Sequence, residues 1–185
     1  MHIVRLRDHL NLVETVAKWW FDEWSHLSSH AHSVEDAIAS LYKKMADRPS
    51  LPIIIVAVVD DEAVGTAALK LQELRDHFPK IQYWLGNVYV KPEARGLGLG
   101  SALVREIENI AATQNIPALH LATEQLNGGL YAQLGWEVVT QIADRGDDVL
   151  VMRKDVSTSA TTPLNPSVTA MKDIAMDTPG SLIFE

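Results

Sequence analysis

The sequence predicts an α/β protein of the α+β kind: a mixed, mostly antiparallel central sheet of about seven strands flanked by about four helices. Two patterns point there. Apolar runs of strand length alternate along the chain with stripes at helical spacing. Two pairs of strands are joined by short polar turns and read as hairpins. The 185 residues, 47% hydrophobic and 22% charged, suffice for one domain with a sizeable core.

His2 to Arg7 alternates and reads as a short first strand. A helix over Asn11 to Trp24 follows, with Val13, Val16, Ala17, Trp20, Phe21 and Trp24 on its apolar side. Big aromatics at this spacing pack a core or a groove, so Trp19-Trp20-Phe21 with Trp24 is read that way and not as a ligand platform. Ser33, with Asp36 three residues on, opens a second helix in a capping-box arrangement. Leu51 to Val59 is a strand buried on both faces, and Asp60-Asp61-Glu62 turns it into a partner at Ala63 to Leu71. Glu73 to Lys80 is a polar loop. Gln82 to Val90 is the fourth strand, which stops before Pro92 because proline cannot donate to a ladder.

A third helix runs from about Gly98 to Gln114 on Leu99, Leu103, Ile107 and Ile110. Pro117 to Thr123 is a fifth strand, Asn127 to Leu134 a short helix stopped by Gly135, and Trp136 to Ile142 with Asp148 to Lys154 a last hairpin. Composition changes after Asp155. Residues 1–155 therefore read as the folded domain, and 156–185 as a Ser-, Thr-, Pro- and Ala-rich tail. Leu182-Ile183-Phe184 is its expected anchor on the domain or on a neighbouring subunit.

Composition narrows the function classes. A net charge of -8 argues against a nucleic-acid partner, which selects for basic faces, and mildly favours a cationic acceptor. The absence of cysteine excludes disulfides and thiolate chemistry by the chain itself. No apolar run reaches the roughly 20 residues of a membrane span, and the first residues lack a signal-peptide pattern. The expectation is a cytoplasmic protein, monomer or homodimer, with no membrane partner and no metal.

The informative segment is Val88-Tyr89-Val90-Lys91-Pro92-Glu93-Ala94-Arg95-Gly96-Leu97-Gly98-Leu99-Gly100-Ser101, between a strand and a helix. Glycines admit a ligand close to the backbone, and free N–H groups at a helix start favour an anion such as a pyrophosphate. A Walker loop would need a lysine between Gly100 and Ser101, and a dinucleotide fingerprint would place its glycines tight after the strand. Arg95, Gly98 and Gly100 instead match an Arg-x-x-Gly-x-Gly loop.

With Val-x-Val-x-Pro-x-x-Arg-Gly-x-Gly-x-Gly on this strand and loop, and Tyr131-Ala132-Gln133-Leu134-Gly135-Trp136 further on, the chain resembles the GNAT superfamily of acetyl-CoA-dependent N-acetyltransferases. The resemblance covers about His2 to Lys154 and implies a splayed central strand pair holding acetyl-CoA. It implies cofactor contacts from Val88, Tyr89, Val90, Arg95, Gly96, Leu97, Gly98, Leu99, Gly100 and Ser101, with the Val90 N–H donating to the thioester carbonyl. Many members carry a cofactor-contacting asparagine seven residues before the tyrosine; here that position is Glu124, and the nearby Asn127 is the candidate for that cofactor contact.

The implied reaction is direct attack of an amine on the thioester through a tetrahedral intermediate, with Tyr131 as proton donor to the CoA thiolate. The acceptor is a small-molecule amine or a peptide N-terminus. A lysine-like amine is only about 0.1% neutral at pH 7 and needs a base. His120 and Tyr83 resemble a histidine and tyrosine used by some protein N-terminal acetyltransferases of the family, with Glu73, His77 and Glu124 as lesser candidates. The alternatives are a non-catalytic acyl-CoA sensor on the same fold and, against the glycine spacing, another class of nucleotide-binding module.

Overall fold

The computed structural model describes residues 1–27, 32–46 and 51–156. Among them seven strands form one sheet: β1 (His2–Arg5), β2 (Ile53–Val59), β3 (Glu62–Lys70), β4 (Trp84–Val90), β5 (Ala118–Thr123), β6 (Glu137–Asp144) and β7 (Asp147–Asp155), in the spatial order β1-β2-β3-β4-β5-β7-β6. Every neighbouring pair is antiparallel except β4 and β5. Four helices accompany the sheet: α1 (Val13–Trp24), α2 (Val34–Ala46), α3 (Leu99–Thr113) and α4 (Gly129–Gln133). No helix among the described residues is long and apolar enough to cross a membrane. The tail calls, Leu182-Ile183-Phe184 included, lie outside the described residues.

β2 shows why an unbroken apolar run is needed at the centre. Ile53, Ile55 and Ala57 face the cluster under α3, while Ile54, Val56 and Val58 face the cluster under α1 and α2. Alternate side chains point to opposite faces of a sheet, so a strand covered on both sides carries no polar position. α3 buries Leu99, Leu103, Val104, Ile107, Ile110 and Ala111. At ~1.5–3 kcal/mol per large side chain it is among the strongest contributors to the core. It sits close on β3 because Gly65 leaves room; a Cβ there would lie 2.7 Å from Tyr89 O and 3.1 Å from Leu103 Cδ1.

α2 starts as its sequence requires, with the Asp36 N–H donating to Ser33 Oγ at 3.1 Å and the His32 N–H to Asp36 Oδ2 at 3.1 Å. α1 differs from expectation in its aromatic residues. Trp19, not Trp20, is buried, with its ring 5.2 Å from that of Tyr89. Adjacent residues on a helix lie about 100° apart, so a shift of phase by one residue decides which of two neighbouring tryptophans meets the sheet. Trp20, Phe21 and Trp24 are left on a half-open wall.

α4 is too short to hold itself in place. The chain beyond it is tied down by Glu108 on α3. Its Oε1 accepts from Trp136 Nε1 at 2.9 Å, and Lys154 Nζ lies 2.9 Å from both its oxygens and donates to Leu134 O at 2.7 Å. Glu108→Ala leaves a buried indole N–H and a partly buried ammonium without their acceptor. It should lower unfolding stability by about 2–3 kcal/mol in urea titration, with Glu108→Gln in between. A loss below about 0.5 kcal/mol, the size of an ordinary surface substitution, would show that the node is only decorative.

Candidate active site

The site begins where β4 and β5 part. They pair at one parallel position only, Trp84 with His120. Above it β4 carries an extra residue: Thr66 faces Tyr89 and Ala68 faces Gly86, so that Ala67 alone on β3 stands against Asn87 and Val88 on β4. Asn87 absorbs the bulge at φ 51. The Lys91 N–H bonds to Val64 O at 2.9 Å, so alternation along the strand turns the Val90 N–H the other way, toward β5. There the strands have separated, and the inner edge of β4 at Val88 and Val90 has no ladder partner.

The loop after β4 is stapled to it by Arg95, whose Nε donates to Val90 O at 3.0 Å. Gly96 and Gly98 take φ 79 and 77, a conformation side chains resist, and a Cβ on either would meet nothing within 4 Å. Gly98 is the N-cap of α3 and its carbonyl accepts the first helical bond, from the Ala102 N–H at 3.0 Å. The N–H groups of Leu99, Gly100 and Ser101 therefore have no acceptor within the helix. Leu97 is 75% exposed at the apex. The Tyr89 ring is engaged with Trp19 on the α1 face.

A cavity of about 580 Å³ lies over this loop, lined by Val88 to Val90, Arg95, the glycines, Ser101 and Tyr131. A second, of about 660 Å³, lies between the parted strands and carries Glu23, Glu73, Asn87, Glu124 and Tyr131. The two share Glu23, Val88, Thr123, Gln125 and Tyr131. Tyr131 thus stands where they meet. Burial, with the nearby Glu73 charge, pushes its pKa up to about 12. Its ring meets Trp136 edge-on at 6.2 Å.

Other residues singled out in the sequence fall elsewhere. His120 and Tyr83 stand at the closed end of the strand pair and line neither cavity. The His120 ring lies 5.5 Å from Trp84, its buried Nδ1 has no hydrogen-bond partner among the described residues, and burial and the Arg153 charge hold its pKa below the ordinary value. The Tyr83 carbonyl accepts from the His120 N–H at 3.0 Å. His77 Nε2 lies 3.0 Å from Asp144 Oδ1, joining the loop before β4 to β6. Asn127 Oδ1 accepts from the Gly129 N–H at 3.0 Å, capping α4. Nothing in the sequence marks Glu23; it reaches the site only because α1 lies across the mouth of the parted strands.

Residues 13–136 match the acetyltransferase (GNAT) family. No curated protein sequence matches the chain. Among solved structures, an aminoglycoside 6'-acetyltransferase type Ii is 19% identical with a TM-score of 0.65, covering 85% of this chain and 99% of its own. An aminoglycoside 6'-N-acetyltransferase complexed with coenzyme A is 16% identical with a TM-score of 0.65, over 85% and 98%. A ribosomal-protein-alanine N-acetyltransferase from Brucella melitensis is 20% identical with a TM-score of 0.64, over 84% and 99%. At these identities the likeness is one of fold.

Two measurements check the site. Gly98→Asp puts a charged side chain into the open space of the loop and should abolish acetyl-CoA binding in calorimetry while the circular dichroism spectrum is kept; unchanged affinity would remove this loop from the site. Alkaline difference titration against Tyr131→Phe should show the Tyr131 phenolate forming near pH 12, not 10. Because the folded state holds this proton more tightly, the group's contribution to stability is intact below pH 10 and lost as pH rises toward 12. A phenolate already formed at pH 10 would show a wet, open site.

Proposed function

The chain belongs to the acetyltransferase (GNAT) family, and we propose that it moves an acetyl group from acetyl-CoA to a primary amine by direct attack on the thioester. The observation that carries this reading is the position of Tyr131, shared by the glycine-loop cavity and the carboxylate-lined cavity. The open floor at Gly96 and Gly98 and the unpaired edge of β4 fit a pyrophosphate and a pantetheine arm. Bound acetyl-CoA supplies an activated thioester and a thiol leaving group.

The chain's own residues do the rest. Arg95, Gly96, Gly98, Leu99, Gly100 and Ser101 hold the phosphates, and the Val88 and Val90 edge holds the arm. The Val90 N–H donates to the carbonyl oxygen as charge builds on it, an interaction worth roughly 3–4 kcal/mol in comparable sites. Glu23, Glu73 and Glu124 draw the protonated amine, and the carboxylates take its proton through water. That role goes to them and not to His120 and Tyr83, which stand at the closed end of the strands.

Tyr131 donates its hydroxyl proton to the departing sulfur and regains, through water, the proton the amine releases. A phenol near 12 is always protonated at neutral pH, so the donor is never missing. The dry surroundings that raise it also raise the proton affinity of a thiolate beside it. All the residues named lie in 1–155, and the tail supplies none of them. The aminoglycoside and ribosomal-protein-alanine acetyltransferases of similar fold support an amine acceptor.

Thiol release measured over a panel of primary amines tests the proposal. Tyr131→Phe should lower kcat by about 10²-fold or more with little change in acetyl-CoA affinity. Acetyl-CoA binding without thiol release on any amine would favour an acyl-CoA sensor instead.

A further inference from the structure

A third cavity, of about 720 Å³, adjoins the carboxylate-lined one and shares Trp24 and Asn87 with it. Its walls come from α1, α2 and the end of β3, and it differs in chemistry from its neighbour. Trp20, Phe21, Trp24 and Leu41 make it apolar and aromatic, and its charged residues are Lys44 and Lys70. Lys70 is already paired, its Nζ 2.8 Å from Glu73 Oε2. The pair lies over Gly86, where a Cβ would overlap the Lys70 Cε and Nζ. Lys44 has no ion-pair or hydrogen-bond partner among the described residues. Lys44 is exposed at the rim of the cavity; partial desolvation and the nearby Lys70 charge lower its pKa, and a bound anion would relieve the repulsion.

The two adjoining cavities therefore differ in charge: Glu23, Glu73 and Glu124 line the one beside Tyr131, with Arg145 turned to Asp144, while an ammonium without a partner among the described residues lies beyond an aromatic wall in the other. Resting on the transferase reading above, we infer that the acceptor is a zwitterion, a primary amine joined through an apolar or aromatic body to a carboxylate. The amine lies by Glu23, Glu124 and Tyr131, the body against Trp20, Phe21 and Trp24, and the carboxylate on Lys44. The amine nitrogen bonds to the acetyl carbon as the carbon–sulfur bond breaks; one proton leaves nitrogen, one reaches sulfur, and the carboxylate is unchanged. A polycation would fit the first cavity and meet two lysines in the second, so such acceptors are disfavoured.

The test compares the dipeptide Gly-Phe, its C-terminal amide and spermidine as acceptors, by kcat/KM from thiol release. Wild type should prefer Gly-Phe to the amide by about tenfold, the size expected for one charge-assisted contact. Lys44→Ala should bring that ratio near one, and Lys44→Arg should restore it. Tryptophan emission, reporting Trp20 and Trp24 without catalysis, should show Gly-Phe binding weakened about tenfold in Lys44→Ala. Equal use of acid and amide, a preference that survives Lys44→Ala, or spermidine as the best acceptor would overturn the inference while leaving the transferase reading in place. Failure of all three amines to release thiol would overturn this inference, and the transferase reading falls with it only if no amine of the wider panel releases thiol while acetyl-CoA still binds in calorimetry.

Discussion

The parting of β4 from β5 is the constraint on which the rest depends. Two parallel strands at the centre of a sheet would ordinarily pair along their length; these meet at Trp84 and His120 and then diverge. The closed end is held by an aromatic stack. Trp84, fully buried, lies 6.2 Å from Phe78 and 5.5 Å from His120, and its indole donates to Ile81 O at 3.1 Å. This accounts for His120 as part of the hinge from which the strands open. The open end is set by the bulge at Asn87, which twists β4 away and leaves N–H groups without a protein partner. Unpaired backbone groups in a partly closed cleft are costly, and a ligand carrying acceptors offsets that cost.

Much of this was legible in the residue order. The apolar run Ile53 to Val58 announces a strand covered on both faces, and Ser33 with Asp36 announces a helix start. Gly96 and Gly98 place a loop whose left-handed angles side chains resist, and at Gly100, in the first turn of α3, a Cβ would lie 3.2 Å from Leu130 Cδ2. What was not legible depends on contacts far apart in sequence. Asn87 carries a left-handed angle that is tolerated but not required by its type, so the bulge leaves no local mark. The choice of Trp19 over Trp20 for the core depends on helix phase against a sheet seven elements long. Glu23 is an ordinary helix-surface acid until α1 is laid across the cleft.

Charge is distributed in the site against the grain of the whole chain. The formal net charge is -8, yet the wall formed by α2 and the end of β3 presents two lysines. A net acidic surface draws any amine, whereas adjoining cavities that differ in charge select among amines by what lies at the far end. The Lys70–Glu73 pair stands at the border between the two cavities and partly neutralises both residues. This leaves Glu23 and Glu124 on one side, where Arg145 turns to Asp144, and Lys44 on the other as the remaining charges of the described lining.

Precision at Tyr131 comes from α3. α4 is a five-residue helix bounded by Gly128 and Gly135 in left-handed conformation, so nothing within it fixes the hydroxyl. Its position is taken from Trp136, whose N–H donates to Tyr131 O at 3.0 Å and whose indole is held by Glu108. Glu108 lies ten residues along α3 from Gly98, about 15 Å at helical rise. One rigid helix therefore presents the unpaired N–H groups of the glycine loop at its start and the anchor for Tyr131 near its other end. Its buried stripe seats both on β3 through Gly65. Glycine loop and phenol are then fixed relative to each other by a single body, and the parting of β4 from β5 leaves that distance undisturbed.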